Sequence, residues 1–262
     1  MIDKFKKDLL SVRLYDTRMA MGNDAAHHAA KKIRLLLENR DFISIIFAAA
    51  PSQNEFLSAL CAQPNIEWNR ITAFHMDEYV NLPADAPQGF GNFLRINIFD
   101  KVPFRMVHYL NGNAPDLNQE CKRYSELLAT FKPDMVCMGI GENAHIAFND
   151  PHVADLNDPV MVKVVDLDMQ CRQQQVNDGC FDSIDQVPTH ALTLTVPTLL
   201  QPKAVFCMVP GINKAQAIYH TLVEPICAKY PSTTLREHPN AILFLDKDSS
   251  SKIGNFSTQK RS

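Results

Sequence analysis

Residues 134–151, DMVCMGIGENAHIAFNDP, concentrate the side chains with the clearest capacity for chemistry. An apolar run favours a buried strand, and Gly139 and Gly141 then permit a tight turn and the close approach of a ligand. The polar side chains of the following loop are those of Glu142, Asn143, His145, Asn149 and Asp150. A histidine with a carboxylate five residues on has the groups needed for proton transfer near neutral pH. The segment is therefore either a catalytic loop or a structural turn with satisfied polar groups.

A second polar group follows the apolar segment 71–74, which predicts a short strand. His75, Asp77 and Glu78 stand at or just past its end. Burial of a carboxylate is costly unless it has a partner or a function. These carboxylates therefore suit an active site or a structural ion pair, and both interpretations remain open at this point.

Two further positions could bind an anion. The apolar run 42–50 predicts a central parallel strand that leads into a helix starting at Pro51. Helix N-termini attract anions through free N–H groups and the helix dipole, although three alanines replace the usual glycine-rich cradle, so a plain junction is the alternative. Lys214 lies in the first turn of a later predicted helix, where a cation is unfavourable unless an anion is also bound. A solvated surface lysine is the competing interpretation.

Composition excludes several classes of protein. The net charge of −3 and the lack of basic blocks argue against nucleic acid or anionic membrane as a partner. No apolar run approaches the roughly 20 residues needed to cross a bilayer. The N-terminus has no signal-peptide core, which predicts a cytoplasmic protein. Seven scattered cysteines without a CxxC pair, and the absence of HExxH, predict reduced thiols and no metal site.

Alternating strand and helix patterns predict an α/β fold: a doubly wound, mostly parallel sheet with helices on both faces, in a Rossmann-like three-layer arrangement. We expect one domain over residues 1–262, with Asp24 capping the first long helix. Residues 152–187 are less regular, with a possible strand at 162–165 and a short polar helix CRQQQVN, and are predicted to form a lid-like segment. The polar loops after Pro51, at Asp77 and around His145 should converge at the carboxyl ends of strands, where Lys214 could join them.

At these residues the chain resembles the glucosamine-6-phosphate deaminases, or amino-sugar phosphate isomerases. The resemblance covers roughly residues 40–248 and depends on segments 74–93, 139–151, 187–200 and 211–218. The related 6-phosphogluconolactonases share the fold but usually have a GHTASLFPG-like run after the turn. Here His145 is followed by IAFND, which is the deaminase form.

The resemblance implies isomerisation of an amino-sugar phosphate with loss of ammonia, without a metal or organic cofactor. Asp77 matches the acid/base that moves a proton between C2 and C1, and His145 matches the histidine that opens the sugar ring. Asp150 stands where the family has a glutamate that supports the histidine. Lys214 matches the lysine that holds the sugar phosphate.

Four departures from the family pattern accompany these matches. Asn143 replaces a catalytic aspartate, and an amide stabilises an imidazolium less well than a carboxylate does. Asp150 is one methylene shorter than the family's glutamate. Residues 48–50 are alanines where the phosphate loop has Gly-Ser-Thr, and Gly179 stands where a lid arginine is expected.

These comparisons define the expected site and its partner. The expected catalytic residues are Asp77, Asn143, His145 and Asp150. The expected substrate-binding residues are Ala49, Ala50, Ser52, Gln53, Glu78, Gly141, Arg172 and Lys214, among which Ser52, Gln53 and Arg172 would partly rebuild the anion site. The expected substrate is glucosamine 6-phosphate, with galactosamine 6-phosphate or another sugar phosphate as the alternative, and a catalytically silent sugar-phosphate sensor as the candidate from a different class. Homo-oligomer formation is left open.

Overall fold

The computed structural model describes residues 1–254 of the 262-residue chain and centres on a large sheet. Its strands are β1 (Asp3–Lys7), β2 (Leu10–Tyr15), β3 (Ile43–Phe47), β4 (Ile71–His75), β5 (Asp77–Tyr79), β6 (Met106–His108), β7 (Met135–Met138), β8 (Val162–Asp166), β9 (His190–Leu194), β10 (Ala204–Val209) and β11 (Ala241–Asp246). Eight of these form the sheet in the order β1-β2-β11-β10-β7-β3-β4-β6. All its neighbouring strands are parallel except β1 and β2. The predicted doubly wound, mostly parallel sheet is confirmed.

Helices cover both faces of this sheet. They are α1 (Arg18–Leu37), α2 (Asn54–Cys61), α3 (Phe90–Leu94), α4 (Leu117–Phe131), α5 (Met169–Asn177), α6 (Val196–Leu200) and α7 (Ala215–Val223). Side chains alternate along β3, so Ile45 and Phe47 pack in the apolar layer with α1 and α2, while Ile46 packs in the layer with α4 and α7. No helix among residues 1–254 combines the length and apolar character required to cross a bilayer.

A second, three-stranded antiparallel sheet, β5-β9-β8, stands beside the carboxyl edge of the main sheet. Only Met76 separates β4 from β5, and Asp77 at the start of β5 pairs with Thr193 of β9. The backbone of Asp77 is therefore fixed by β-sheet pairing with β9, whereas the sequence predicted only the end of a strand at this position. The predicted strand near 162–165 and the short polar helix are confirmed as β8 and α5.

The first helix begins earlier than predicted, so the expected cap at Asp24 is wrong. Thr17 has extended backbone angles, and its hydroxyl accepts a hydrogen bond from the backbone N–H of Ala20 at 3.1 Å. Asp24 instead lies inside α1, where its carboxylate accepts a hydrogen bond from the Tyr15 hydroxyl. Residues 255–262, which belong to the domain expected over 1–262, lie outside the described residues.

Gly22 sets the packing distance between α1 and α2, the helix that follows the Pro51 junction. A Cβ atom at Gly22 would lie 2.7 Å from Glu55 Cβ and 2.9 Å from the backbone nitrogen of Phe56. We expect Gly22→Ala to lower the melting temperature, because overpacking costs about 1–3 kcal/mol and the gain in helix propensity is at most about 1 kcal/mol. Asn23→Ala, at an exposed neighbour in the same helix, is the control for thermal unfolding. Equal stability of the two variants would contradict this packing constraint.

Candidate active site

A cavity opens at the carboxyl ends of β3, β4, β7 and β10. The connections after β3 proceed towards β6, whereas those after β7 proceed towards β2, so the cavity lies at the topological switch point of the sheet. Its lining consists of Ala48, Ala49, Ala50, Ser52, Gln53, Met76, Asp77, Phe90, Gly139, Ile140, Gly141, His145, Ala147, Phe148, Gln174, Gln175 and Lys214. Asp77, His145 and Lys214, from three separate parts of the chain, thus face one space.

Asp77 is a buried carboxyl group in this cavity, with 7% of the residue exposed. Its side chain accepts no hydrogen bond from any residue between 1 and 254. Burial raises the pKa of Asp77 well above its usual value, and the neighbouring Glu78 carboxylate raises it further. A carboxyl group whose pKa is shifted towards neutrality can both accept and donate a proton under physiological conditions.

His145 lines the cavity and forms a buried pair with Asp150, which lies behind it. His145 Nδ1 lies 2.8 Å from Asp150 Oδ1, although the ring N–H is not well aligned with the oxygen. Such misalignment is common in ligand-free active sites. Burial alone would raise the pKa of Asp150, but His145, Asn143 and the backbone N–H of Asp168 together hold it below the usual range. Asp150 therefore stays ionised and orients the imidazole.

Asn143 does not line the cavity, and its amide instead connects the groups behind His145. Its Nδ2 donates to Asp150 Oδ1 at 3.0 Å and to Asp168 Oδ2 at 3.1 Å, and its Oδ1 accepts from the backbone N–H of His145 at 3.1 Å. The sequence analysis missed Asp168. Its signal was its position just before the polar helix, where an aspartate typically caps a helix.

Lys214 supplies a positive charge to the cavity and is buried, with 5% of the residue exposed. Its ammonium group makes no hydrogen bond or ion pair to any residue of the described chain. Burial lowers the pKa of Lys214, while the more distant Asp178 and Glu142 partly oppose this effect. An anion bound in the cavity would compensate for the lost hydration of the ammonium.

Carboxamides replace the hydroxyl groups of the family's phosphate loop. Gln53 Nε2 donates to Ser52 Oγ at 3.1 Å and to the carbonyl of Met208 at 3.2 Å, so this amide is partly committed to the fold. Gln174 is likewise bonded, through Oε1, to the backbone N–H of Glu142. The Gln175 amide is buried at the cavity wall and has no side-chain hydrogen bond among the described residues. Neither Gln174 nor Gln175 was among the predicted site residues, although both belong to the polar helix predicted from CRQQQVN.

Two predicted substrate-binding residues do not line this cavity. Glu78 points into a neighbouring cleft, where its carboxylate accepts hydrogen bonds from the backbone N–H groups of Tyr79, Phe90 and Gly91. The prediction for Glu78 was wrong because adjacent residues of a strand face opposite sides.

The prediction for Arg172 was also wrong. Its guanidinium donates to the carbonyls of Ile184 and Val187 on the outer side of α5. The groove that contains Arg172 is bordered by residues 80–83 and 185–190 and is separate from this cavity.

Groups of possible metal ligands occur around Asp150. The first comprises His145, Asp150 and Cys171, and the second comprises Asp150, His152 and Asp168, with ligand atoms in each group within 4.8 Å of one another. Both groups share Asp150, whose oxygens already accept hydrogen bonds from Asn143 and the Asp168 backbone. Because both Asp150 oxygens accept hydrogen bonds from protein donors, we assign Asp150 to the hydrogen-bond network.

The fold and site define the class of protein. Residues 16–244 match the family described as glucosamine-6-phosphate isomerases/6-phosphogluconolactonase, and the chain belongs to this family. It is therefore an enzyme of the superfamily that contains glucosamine-6-phosphate deaminases and 6-phosphogluconolactonases. The resemblance inferred from residues 40–248 is confirmed.

Particular relatives place the chain nearer to the deaminases. It is 36% identical over 183 residues to a glucosamine-6-phosphate deaminase of Bacillus cereus (strain B4264), covering 70% of this chain and 68% of the relative. A deaminase of Bacillus thuringiensis (strain Al Hakam) is 35% identical over the same shares. A solved monomeric glucosamine-6-phosphate deaminase superposes with a TM-score of 0.83 at 27% identity, covering 92% of this chain and 99% of that one. The 6-phosphogluconolactonase from Thermotoga maritima, with a TM-score of 0.73 at 21% identity and coverage of 91% and 100%, shows the shared fold.

Gly141 permits the approach of the His145 ring to the backbone. A Cβ atom at position 141 would lie 2.2 Å from His145 Cε1 and Nε2. We expect Gly141→Ala to displace the imidazole from Asp150 and reduce turnover by about 100-fold or more, the usual contribution of a positioned acid or base. NMR signals of the His145 ring report the displacement without substrate. Gly139→Ala, whose Cβ would lie 3.0 Å from the movable Gln53 amide and 3.4 Å from the Met208 carbonyl, is the control, and unchanged His145 signals in Gly141→Ala would contradict the prediction.

The raised pKa of Asp77 predicts that this residue destabilises the fold. Below about pH 4, the ordinary pKa of an aspartate, the group is protonated in the folded and unfolded chains and has no effect. As the pH rises towards the folded-state pKa, the unfolded chain ionises first and the folded state loses relative stability. We therefore expect Asp77→Asn to raise the melting temperature at pH 7, with a gap that closes near pH 4. Thermal unfolding across this range checks the sign, and a destabilised Asp77→Asn variant at pH 7 would contradict it.

Proposed function

We propose that the chain is a cytoplasmic deaminase and isomerase that converts glucosamine 6-phosphate into fructose 6-phosphate and ammonia. The observation that carries the proposal is the meeting of a protonatable carboxyl group, an oriented imidazole and an unpaired ammonium group in one cavity at the switch point of the sheet. The relatives named as glucosamine-6-phosphate deaminases support the choice of substrate.

Asp77 is proposed to move the proton between C2 and C1 of the open-chain sugar. Isomerisation needs one group that removes a proton from a carbon and returns it to the adjacent carbon on the same face. Burial raises the pKa of Asp77, which makes its carboxylate a stronger base, and the acid formed can return the proton to the adjacent carbon. The fixed backbone of β5 keeps this group at one position along the substrate.

His145 is proposed to open the pyranose ring by exchanging a proton with the ring oxygen. Its Nδ1 lies against Asp150, so Nε2 is the nitrogen available to the cavity. The ionised Asp150 stabilises the imidazolium that forms when the His145 side chain takes up a proton. Asn143 acts behind this pair and holds Asp150 in place.

Lys214 is proposed to bind the phosphate, together with the free amide of Gln175. The ammonium lacks an anionic partner within hydrogen-bonding distance, and a phosphate dianion in a low-dielectric cavity would provide one. Gln175 lies on α5, within the segment 152–187 that we propose as a lid, so phosphate binding would draw this helix towards the sheet.

A second candidate substrate is another sugar phosphate, such as galactosamine 6-phosphate. The observation that favours it is an adjacent pocket of about 270 Å³, bordered by Ala49, Ala50, Phe90 and Gly179. The family pattern has hydroxyl residues at the positions of Ala49 and Ala50 and an arginine at the position of Gly179. This chain therefore presents apolar surface beside the proposed phosphate position, and a differently shaped substrate would fit there.

The test is ammonia release from glucosamine 6-phosphate and, in parallel, from galactosamine 6-phosphate. We expect release from one of them and its loss in Asp77→Asn. Lys214→Met should raise KM about 10- to 100-fold, because a hydrogen bond to a charged group contributes about 1.5–3 kcal/mol. Lys31→Met, at an exposed position of α1, is the matched control.

The same assay separates the remaining alternatives. Thermal stabilisation by either sugar phosphate without ammonia release would replace the enzyme proposal with a silent sensor. Neither stabilisation nor release would reject both sugars as ligands. A KM in Lys214→Met equal to that of Lys31→Met would remove Lys214 from the phosphate site.

A further inference from the structure

The amide of Asn143 lies between two carboxylates. Its two amide hydrogens are directed to Asp150 Oδ1 and Asp168 Oδ2, at N–O distances of 3.0 and 3.1 Å. Carboxylate oxygens of Asp150 and Asp168 approach within 4.8 Å of each other. Two like charges at this distance repel unless a donor lies between them, and a primary amide is the neutral side chain with two donor hydrogens.

Asp168 has a second attachment, to the helix that follows it. Its Oδ1 accepts a hydrogen bond from the backbone N–H of Cys171 at 2.6 Å and so caps α5. Its own backbone N–H donates to Asp150 Oδ2 at 3.3 Å. Asp168, which directly precedes α5, is therefore bonded to Asp150 through its main chain and to Asn143 through its side chain.

A further contact ties α5 to the catalytic loop. Gln174 Oε1 accepts a hydrogen bond from the backbone N–H of Glu142 at 2.8 Å. Gln174 and Gln175 also line the cavity. A displacement of the α5 N-terminus would therefore move both the cavity wall and the groups bonded to Asp150.

We propose that Asp168 is a positioning residue, which acts through Asn143 to hold the His145–Asp150 pair and to couple α5 to it. Asn143 and Asp168 form a matched amide–carboxylate pair, in which the negative charge expected at position 143 is carried at position 168 instead. The function of this pair rests on the catalytic role proposed above for His145.

The pairing explains why an aspartate at position 143 would not improve this site. Asn143→Asp would place a third carboxylate against Asp150 and Asp168 and remove the donor that both accept. Asp168→Asn would keep the helix cap, because asparagine caps helices as well as aspartate does, but would oppose an amide to an amide. The exchange variant, Asn143→Asp with Asp168→Asn, restores one amide and one carboxylate at the contact between positions 143 and 168, while the carboxylate at position 143 still faces Asp150.

The experiment compares wild type, the two single variants and the exchange variant. Asp116→Asn is the matched control, because Asp116 caps α4 through hydrogen bonds from Asn118 and Gln119 and has no contact with the site. The melting temperature and the ¹⁵N signals of the His145 ring, which show which nitrogen carries the proton, are measured without substrate. The kcat and KM for ammonia release are measured where the chain has this activity. Other charged or titratable groups near the ring, Glu142, Cys171 and His152, are left unchanged.

We expect each single variant to melt lower than wild type by about 4–8 °C, corresponding to about 2 kcal/mol at 2–4 °C per kcal/mol. We also expect altered His145 ring signals and a kcat reduced by at least about tenfold. The exchange variant should melt above Asn143→Asp, because the contact between positions 143 and 168 again joins a donor to an acceptor, and Asp116→Asn should leave the ring signals and kcat unchanged.

Three outcomes would overturn the proposal. Asp168→Asn could behave as Asp116→Asn does, which would make Asp168 a helix cap alone. Asn143→Asp could match or exceed wild type in stability. The exchange variant could fall below both single variants. Because melting and ring signals need no substrate, a failure of the proposed reaction would leave these results intact.

Discussion

Burial of charge at the carboxyl edge of the sheet is the constraint on which this site depends. Asp77, Asp150 and Lys214 are each at most 7% exposed, and each must compensate for lost hydration. Asp150 does so within the protein, since His145, Asn143 and the Asp168 backbone stabilise its charge. Asp77 is shifted towards its neutral form, and Lys214 has no close anionic partner. The uncompensated groups, Asp77 and Lys214, are two that face the cavity, and they are the groups to which the proposed function assigns proton transfer and phosphate binding.

The packing of the surrounding fold offsets the unfavourable free energy of the buried charges and of the loop that carries His145. β3 and β7 are buried along their whole lengths between two apolar layers, and the loop after β7 departs from ordinary backbone geometry. Ala144 and Ala147 have φ values of 68° and 48°, in the left-handed region that non-glycine residues rarely adopt. Hydrogen bonds hold this loop in place, including the N–H of Ser232 bonded to the carbonyl of Ala144 at 3.0 Å. The strained turn persists because neighbouring elements fix it, and it directs His145 into the cavity.

Local patterns were sufficient for much of this arrangement, and non-local contacts account for the rest. Apolar runs and their polar ends predicted the parallel strands and placed Asp77 and the His145 loop at one edge. The pairing of Asp77 with Thr193 joins residues far apart in sequence, so the short strand β5 and its place in the second sheet left no local signal, although β8 did. Arg172 was chosen for its charge, but hydrogen bonds to the carbonyls of Ile184 and Val187 hold its guanidinium outside the cavity, whereas Gln175 lines it. These partners lie outside α5, so the sequence of the helix alone did not reveal them.

The loss of hydroxyl donors at residues 48–50 changes how an anion would be bound rather than whether it would be bound. Hydroxyl groups and N-terminal amides on the sheet side form a rigid cradle, which needs no motion of α5. Here the groups at the cavity wall include the Lys214 ammonium and the Ser52 hydroxyl on the sheet side and the Gln175 amide on α5. Under the phosphate-binding role proposed for Lys214, an anion in the cavity would contact both the sheet side and α5. The same helix begins at Asp168 and is bonded through Asn143 to Asp150. In the proposed function, recognition of the anion and orientation of the imidazole would both depend on α5.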